Sequence, residues 1–191
     1  MNLFSLLAEG FDLPILDWIA ANLWCPLLDA VMQVITVLGD AGIFWMVIAA
    51  ALLLFKKTRR VGLGMGIAML MGLLLCNLTL KPLCQRPRPY DYQFDVFNKL
   101  IPLLIEQQHD FSFPSGHTIA SFEAAGVIAQ NNKKWGIPAL ILASLIAFSR
   151  LYLYVHYPTD VLVSVLLGLA LAFVGNRLAH RVPDRYLLLK K

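Results

Sequence analysis

Two histidines, three cations and a carboxylate stand at the ends of apolar runs in this chain. Lys81 and Arg88 lie in KPLCQRPRP (81–89), and His117 ends FPSGH (113–117). Arg150, His156 and Asp160 fall within SRLYLYVHYPTD (149–160). A charged side chain beside lipid costs several kcal/mol unless it is paired or wetted, so such positions imply a task. Guanidinium forks and an ammonium suit a phosphate, whose non-bridging oxygens have to be held while charge redistributes. Ser115 is a good helix N-cap, and the first-turn N–H groups behind it make an anion site that Gly116 leaves open to close approach. Pro158 suits the first turn of a helix, which puts His156 just before that helix and Asp160 inside its first turn. There the helix dipole keeps the carboxylate ionised. It can accept a hydrogen bond from one ring nitrogen of His156 and leave the other bare and basic. Each stretch alone also reads as plain structure: PSGH as a capped helix, His156–Asp160 as a structural cap, Lys81 and Arg88 as snorkelling cations. Snorkelling does not explain two histidines, a carboxylate and a helix amino terminus at the same level.

The elements that position these groups are membrane helices. The chain has 191 residues, 59% of them hydrophobic and only 15% charged. Soluble domains carry about 25% charged residues. One all-α domain is expected, an integral-membrane helical bundle of five to six transmembrane helices. Residues 61–80, 115–130, 136–153 and 159–178 read as spans. Residues 41–55 form a shorter fifth, beginning near Leu38 or thinning the bilayer. Residues 115–130 carry Glu123 and need protein neighbours on most sides. Gly62, Gly64, Gly66 and Gly72 suggest close helix packing. Residues 12–24 and 26–38 are interrupted by Asp17, Asn22, Asp29 and Gln33. They read as amphipathic interfacial helices, with one irregular sixth span as the alternative. The expected division is an interfacial region (1–38), a bundle (39–178) and a basic cytoplasmic tail (179–191).

Orientation follows from the basic residues. KKTRR (56–60), KK (133–134) and Arg177, Arg181, Arg185, Lys190 and Lys191 hold 11 of the 16. With five spans these clusters share one face, which the positive-inside rule makes cytoplasmic. The other face receives 81–114 and 150–158, and the five basic residues there need an explanation other than topology. Clustering between apolar runs argues for membrane topology, with no nucleic-acid partner. The first basic residue is Lys56, so no cationic region of a signal peptide is expected at the amino terminus.

Other candidates carry less chemistry. Cys25, Cys76 and Cys84 have no metal-ligand spacing, and a Cys25–Cys84 disulfide is conceivable only on an oxidising side. His109, Asp110 and His180 read as solvated. Trp18, Trp24, Trp45, Tyr90, Tyr92, Tyr152, Tyr154 and Tyr157 read as an aromatic interface belt. Ser115 beside His117 could be a hydrolase nucleophile, but no G-x-S-x-G elbow is present and an acyl oxyanion would not need three cations. Glu123 could pair with Asn77 or lie near a water path.

Taken together, K-x6-RP (Lys81 to Arg88-Pro89), PSGH (114–117) and SR-x5-H-x3-D (Ser149-Arg150, His156, Asp160) resemble the three-part signature of the phosphatidic acid phosphatase type 2 superfamily. The likeness to small bacterial undecaprenyl-diphosphate phosphatases extends over the amino-terminal 80 residues only in general layout. The resemblance implies metal-independent hydrolysis of a lipid phosphate or diphosphate, without cofactor, in a bacterial cytoplasmic membrane with the site on the extracytoplasmic side. It implies His156 as nucleophile through a phosphohistidine, Asp160 as its support, and His117 as the acid that protonates the departing oxygen and then activates water. Lys81, Arg88, Ser115, Gly116 and Arg150 would hold the phosphate. Family spacing selects Arg88 over Arg86, which becomes a spare cation for a second phosphate or headgroup. Undecaprenyl diphosphate is the first substrate expected, phosphatidic acid or phosphatidylglycerol phosphate the next. A lipid phosphotransferase would use the same intermediate. Oligomeric state is left open.

Overall fold

The computed structural model describes residues 3–183, in which all regular structure is helical. The basic residues at 185, 190 and 191 lie outside that range. Helix α1 (Leu3–Leu7) passes through a π-helical turn, Ala8–Asp12, into α2 (Leu13–Leu23). Helix α3 (Pro26–Val37) is followed by a kinked turn and α4 (Ile43–Leu54). The kink is made by two left-handed residues, Ala41 and Gly42, at φ 48° and 68°. Helix α5 (Arg59–Gly72) widens into a π-helical stretch, Leu73–Leu80, and ends in α6 (Lys81–Cys84); α7 is Pro89–Phe97. Three long helices follow: α8 (Gly116–Asn131), α9 (Lys133–Tyr152) and α10 (Pro158–Arg181).

Four stretches among the described residues are long and apolar enough to cross a membrane: Pro26–Leu54, Arg59–Phe97, Lys133–Tyr152 and Pro158–Arg181. Residues 26–38, expected to lie at the interface or in one irregular sixth span, fall with 43–54 in the single stretch Pro26–Leu54. Helix α8 has 16 residues. It is buried almost continuously from Thr118 to Val127, packed between α9, α10 and α5, as a short span carrying Glu123 requires. The α5–α10 contact is close because Gly175 lies against the Gly64 carbonyl; a Cβ there would stand 2.8 Å from that oxygen. Gly62 and Gly72 are similarly tight, whereas a Cβ on Gly66 would meet nothing within 4 Å. Gly66 lines a cavity instead. On α10, Leu162, Leu166 and Phe173 face outward, an apolar surface suited to lipid.

Two cores result. The inner one joins Trp45, Met65, Phe122, Ile146 and Val161 to many alanines. The outer one packs Leu13, Leu16 and Ile19 of α2 onto the Tyr152–Tyr157 corner. Trp45, Tyr90, Tyr152, Tyr154 and Tyr157 are thus core residues rather than an interface belt. The polar tips of the first four find hydrogen-bond partners, which is what allows it, while the Tyr157 hydroxyl is buried without one. Asp29 accepts from the Tyr152 hydroxyl at 2.6 Å, Asp17 from Tyr154 at 3.0 Å, and Ser121 from the Trp45 indole at 3.0 Å. The polar interruptions at 17 and 29 are the acceptors of this corner. The three cysteines are free thiols.

Candidate active site

The corner between α9 and α10 presents His156. Tyr154 adopts φ 60°, a sparsely populated conformation for a bulky residue, and reverses the chain. The Arg150 carbonyl then accepts from both Val155 N (3.1 Å) and His156 N (3.3 Å). Pro158 opens α10 as expected, and Asp160 accepts from the Tyr157 backbone N–H at 3.1 Å. Asp160 does not take the ring proton directly: His156 Nδ1 is 3.6 Å from Oδ2. Ser112 stands between them. Its Oγ is 3.4 Å from Nδ1 and donates to Asp160 Oδ2 at 2.5 Å. The hydroxyl proton goes to the carboxylate, so the ring N–H points at Ser112. On the other side Arg88 Nη1 lies 3.3 Å from Nε2. Arginine can only donate, so Nε2 is the bare nitrogen. Burial, with the charges of Arg88, Arg150 and Lys81, holds the imidazole pKa well below its usual range, so the ring is neutral.

Arg86 is not a spare cation. It is fully buried between two carboxylates, 2.5 Å from Asp160 Oδ1 and 2.7 Å from Asp12 Oδ2. Its guanidinium carbon lies 3.7 Å from the Tyr157 ring centroid. Asp12 also accepts from Thr159 N and Oγ1, tying the amino-terminal region to the first turn of α10. Asp110, expected to be solvated, bridges both remaining cations of this stretch: Lys81 Nζ meets Oδ2, and Arg88 Nη2 meets Oδ1. Arg88 Nε binds the Asp110 carbonyl at 2.9 Å. Burial of the Asp110 carboxyl opposes its charge, but the Lys81 bond and the Arg88 charge prevail and hold its pKa below the usual carboxylate range. Arg150 donates to Thr36 Oγ1 and keeps a buried Nε without a partner.

His117 sits in the first turn of α8 with Nε2 2.8 Å from Asp40 Oδ1. Asp40 belongs to the α3–α4 turn, and Gly39 beside it has no room for a side chain. A Cβ there would stand 2.6 Å from His117 Cδ2. Ser115 occupies the N-cap position but makes no cap bond. Its hydroxyl accepts from Thr118 Oγ1 at 2.9 Å and its N–H is taken by Ser164 Oγ at 2.9 Å, behind the cavity wall. Gly116 is on the wall, with Asn77 as neighbour. Glu123 lines the same cavity deeper in, buried, with Oε1 unpaired; no bond to Asn77 forms.

One cavity of about 610 Å³ is lined by Lys81, Arg88, Gly116, His117, Arg150 and His156 together. Its deeper walls are apolar, from α4 and α5. Three sequence-distant patches therefore meet, with Asp160 directly behind His156. Ser112, Asp40, Asp12 and Asp110 were not assigned to the site from sequence. Only proximity in the fold reveals them, apart from the weak hint that Ser112 lies two residues before Pro114.

Fold and site define an all-helical membrane protein whose bundle closes around a pocket of two histidines and three cations. The PAP2 superfamily model matches residues 60–183, and the chain belongs to that superfamily. An undecaprenyl-diphosphatase of Sulfolobus acidocaldarius is 30% identical over 140 residues. That match spans 73% of this chain and 65% of that protein, slightly under two thirds of its length. The undecaprenyl-diphosphatase BcrC of Bacillus subtilis is 32% identical, over 78% of this chain and 74% of its own. Among solved structures, a transmembrane PAP2-type phosphatidylglycerolphosphate phosphatase from Bacillus subtilis superposes with a TM-score of 0.70 at 27% identity, covering 94% of both chains.

Proposed function

We propose that this protein is a membrane lipid phosphate phosphatase that works through a phosphohistidine, with undecaprenyl diphosphate as its foremost substrate. The observation that carries the reading is His156: a neutral ring whose bare Nε2 enters a cation-lined cavity shared with a second histidine. The Nε2 lone pair attacks the terminal phosphorus, and the bond from phosphorus to the lipid-side oxygen breaks. His117, protonated once the bound phosphate's negative charge offsets the surrounding cations, gives that proton to the departing oxygen. It then takes a proton from the water that attacks the phosphohistidine, releasing phosphate and restoring His156. Lys81, Arg88 and Arg150 balance the charge on the non-bridging oxygens, the main demand of phosphoryl transfer. Ser112 and Asp160 orient His156 and balance the charge its ring gains, and Asp40 orients His117. No step here requires a metal.

The substrate assignment is supported by the two relatives named as undecaprenyl-diphosphatases and by the apolar depth of the cavity. The superposed phosphatidylglycerolphosphate phosphatase favours that lipid as the second reading. The basic clusters support an extracytoplasmic site by the positive-inside rule. The test is phosphate release in detergent from a panel of lipid phosphates and diphosphates, with a chelator present. Release is expected from the parent, fastest with undecaprenyl diphosphate, and none from His156→Ala. Undiminished release by that variant removes the nucleophile, and loss of release with chelator removes the metal-free step. Transfer of the group to an added lipid alcohol in place of water would mark a phosphotransferase.

A further inference from the structure

Asp110 occupies the two cations that a substrate phosphate is expected to use. Each carboxylate oxygen is taken by a different one, Oδ2 by Lys81 and Oδ1 by Arg88. The partners differ in their freedom to leave. The side chains of Lys81 and Arg88 are 13% and 3% exposed, that of Asp110 55%. Asp110 also lies in 98–115, the stretch between α7 and α8 that contains no helix. The cations are fixed and the carboxylate borders water, so the carboxylate is the group that yields.

We infer that Asp110 is an autoinhibitory latch on the Lys81–Arg88 cradle, a built-in competitor that weakens every anion there by the same factor, so that terminal phosphates still bind while weakly held phosphodiester headgroups fall below the threshold. The inference deepens the proposed function and rests on its assignment of Lys81 and Arg88 to the phosphate. A carboxylate offers one negative charge on two oxygens. A phosphodiester offers the same, so exchanging one for the other gains little. A terminal phosphate carries close to two charges at neutral pH and three free oxygens. It keeps both contacts that Asp110 gives up, attracts the cations more strongly, and presents a third oxygen. Arg150 lines the same cavity with donor capacity that Asp110 does not use. Phosphodiesters make up the bulk of common membranes, so an open cradle at this level would be filled by non-substrates. Asp110 imposes a threshold that the terminal phosphate passes.

The test compares the purified full chain carrying His156→Ala with His156→Ala/Asp110→Asn and His156→Ala/Asp110→Ala, so that no turnover enters. Calorimetry in detergent gives dissociation constants for inorganic phosphate and for dihexanoyl-phosphatidylglycerol, a soluble phosphodiester. The fitted stoichiometry reports the folded fraction independently of affinity. Removing the latch is expected to tighten both by about tenfold or more, the scale of a lost charged competitor. With His156 intact, Asp110→Asn should become inhibitable by bulk phosphatidylglycerol in mixed micelles at mole fractions that leave the parent unaffected. Unchanged or weaker binding of both anions in both Asp110 variants, including no binding throughout, overturns the latch. If the parent releases phosphate from no lipid while the Asp110 variants still bind anions more tightly, the phosphatase reading fails and the latch stands.

Discussion

His156 is neutral because of where it is, and that has a measurable cost. Its pKa is lowered by burial and by the nearby Arg88, Arg150 and Lys81 charges. The unfolded chain therefore binds a proton, near the ordinary 6.5, that the folded chain refuses. The stability this histidine permits is complete above that pH and declines as the pH falls below it. The thermal midpoint in detergent should drop between pH 7.5 and 5.5, and His156→Asn should flatten part of the drop. An identical slope in the variant would show that the ring protonates freely in the folded protein. The same neutrality keeps Nε2 available as a nucleophile on the acid side of neutral, where an exposed imidazole would be largely protonated.

At the level of elements, the first turn of α10 joins the amino terminus to the site. Arg86, between α6 and α7, is clamped by Asp12 and Asp160 and stacked on Tyr157. Removing one member of such a buried set leaves an uncompensated charge, at about 3–5 kcal/mol. Arg86→Met should therefore lose that much stability, read as a lowered unfolding midpoint, although Arg86 does not line the substrate cavity. A loss of activity with an unchanged midpoint would instead make Arg86 a substrate contact. The clamp also explains the location of Asp12, a charged residue with no solvent exposure: it anchors α2 over the tyrosine corner.

For the whole molecule, the decisive quantity is the side on which the pocket opens. Lys56–Arg60 and Lys133–Lys134 lie at the opposite ends of their helices from Lys81, Arg88 and Arg150. In a version without native cysteines, a membrane-impermeant maleimide should label Gln107→Cys in intact cells and Lys57→Cys only after permeabilisation. The reverse pattern would place the site in the cytoplasm.

The three signature stretches carried most of this in the sequence itself. Local spacing around Pro158 and Pro114 set where the helices begin, because proline fixes its own φ and lacks an N–H. The apolar runs set membrane embedding, because that depends on composition over about 20 residues. What the tertiary structure decided were pairings across the chain. Ser112 relays between His156 and Asp160, Asp40 reaches His117 over 77 positions, and Arg86 meets Asp12 over 74. Whether a carboxylate is solvated, buried or bridging two cations depends on which distant groups the packing brings within about 3 Å, and hydrogen-bond reach of that kind leaves no periodic trace along a chain. For that reason Asp110 reads from sequence as a solvated charge and Arg86 as a spare cation for a second phosphate or headgroup, and only the packing shows the first bridging two cations and the second clamped between two carboxylates.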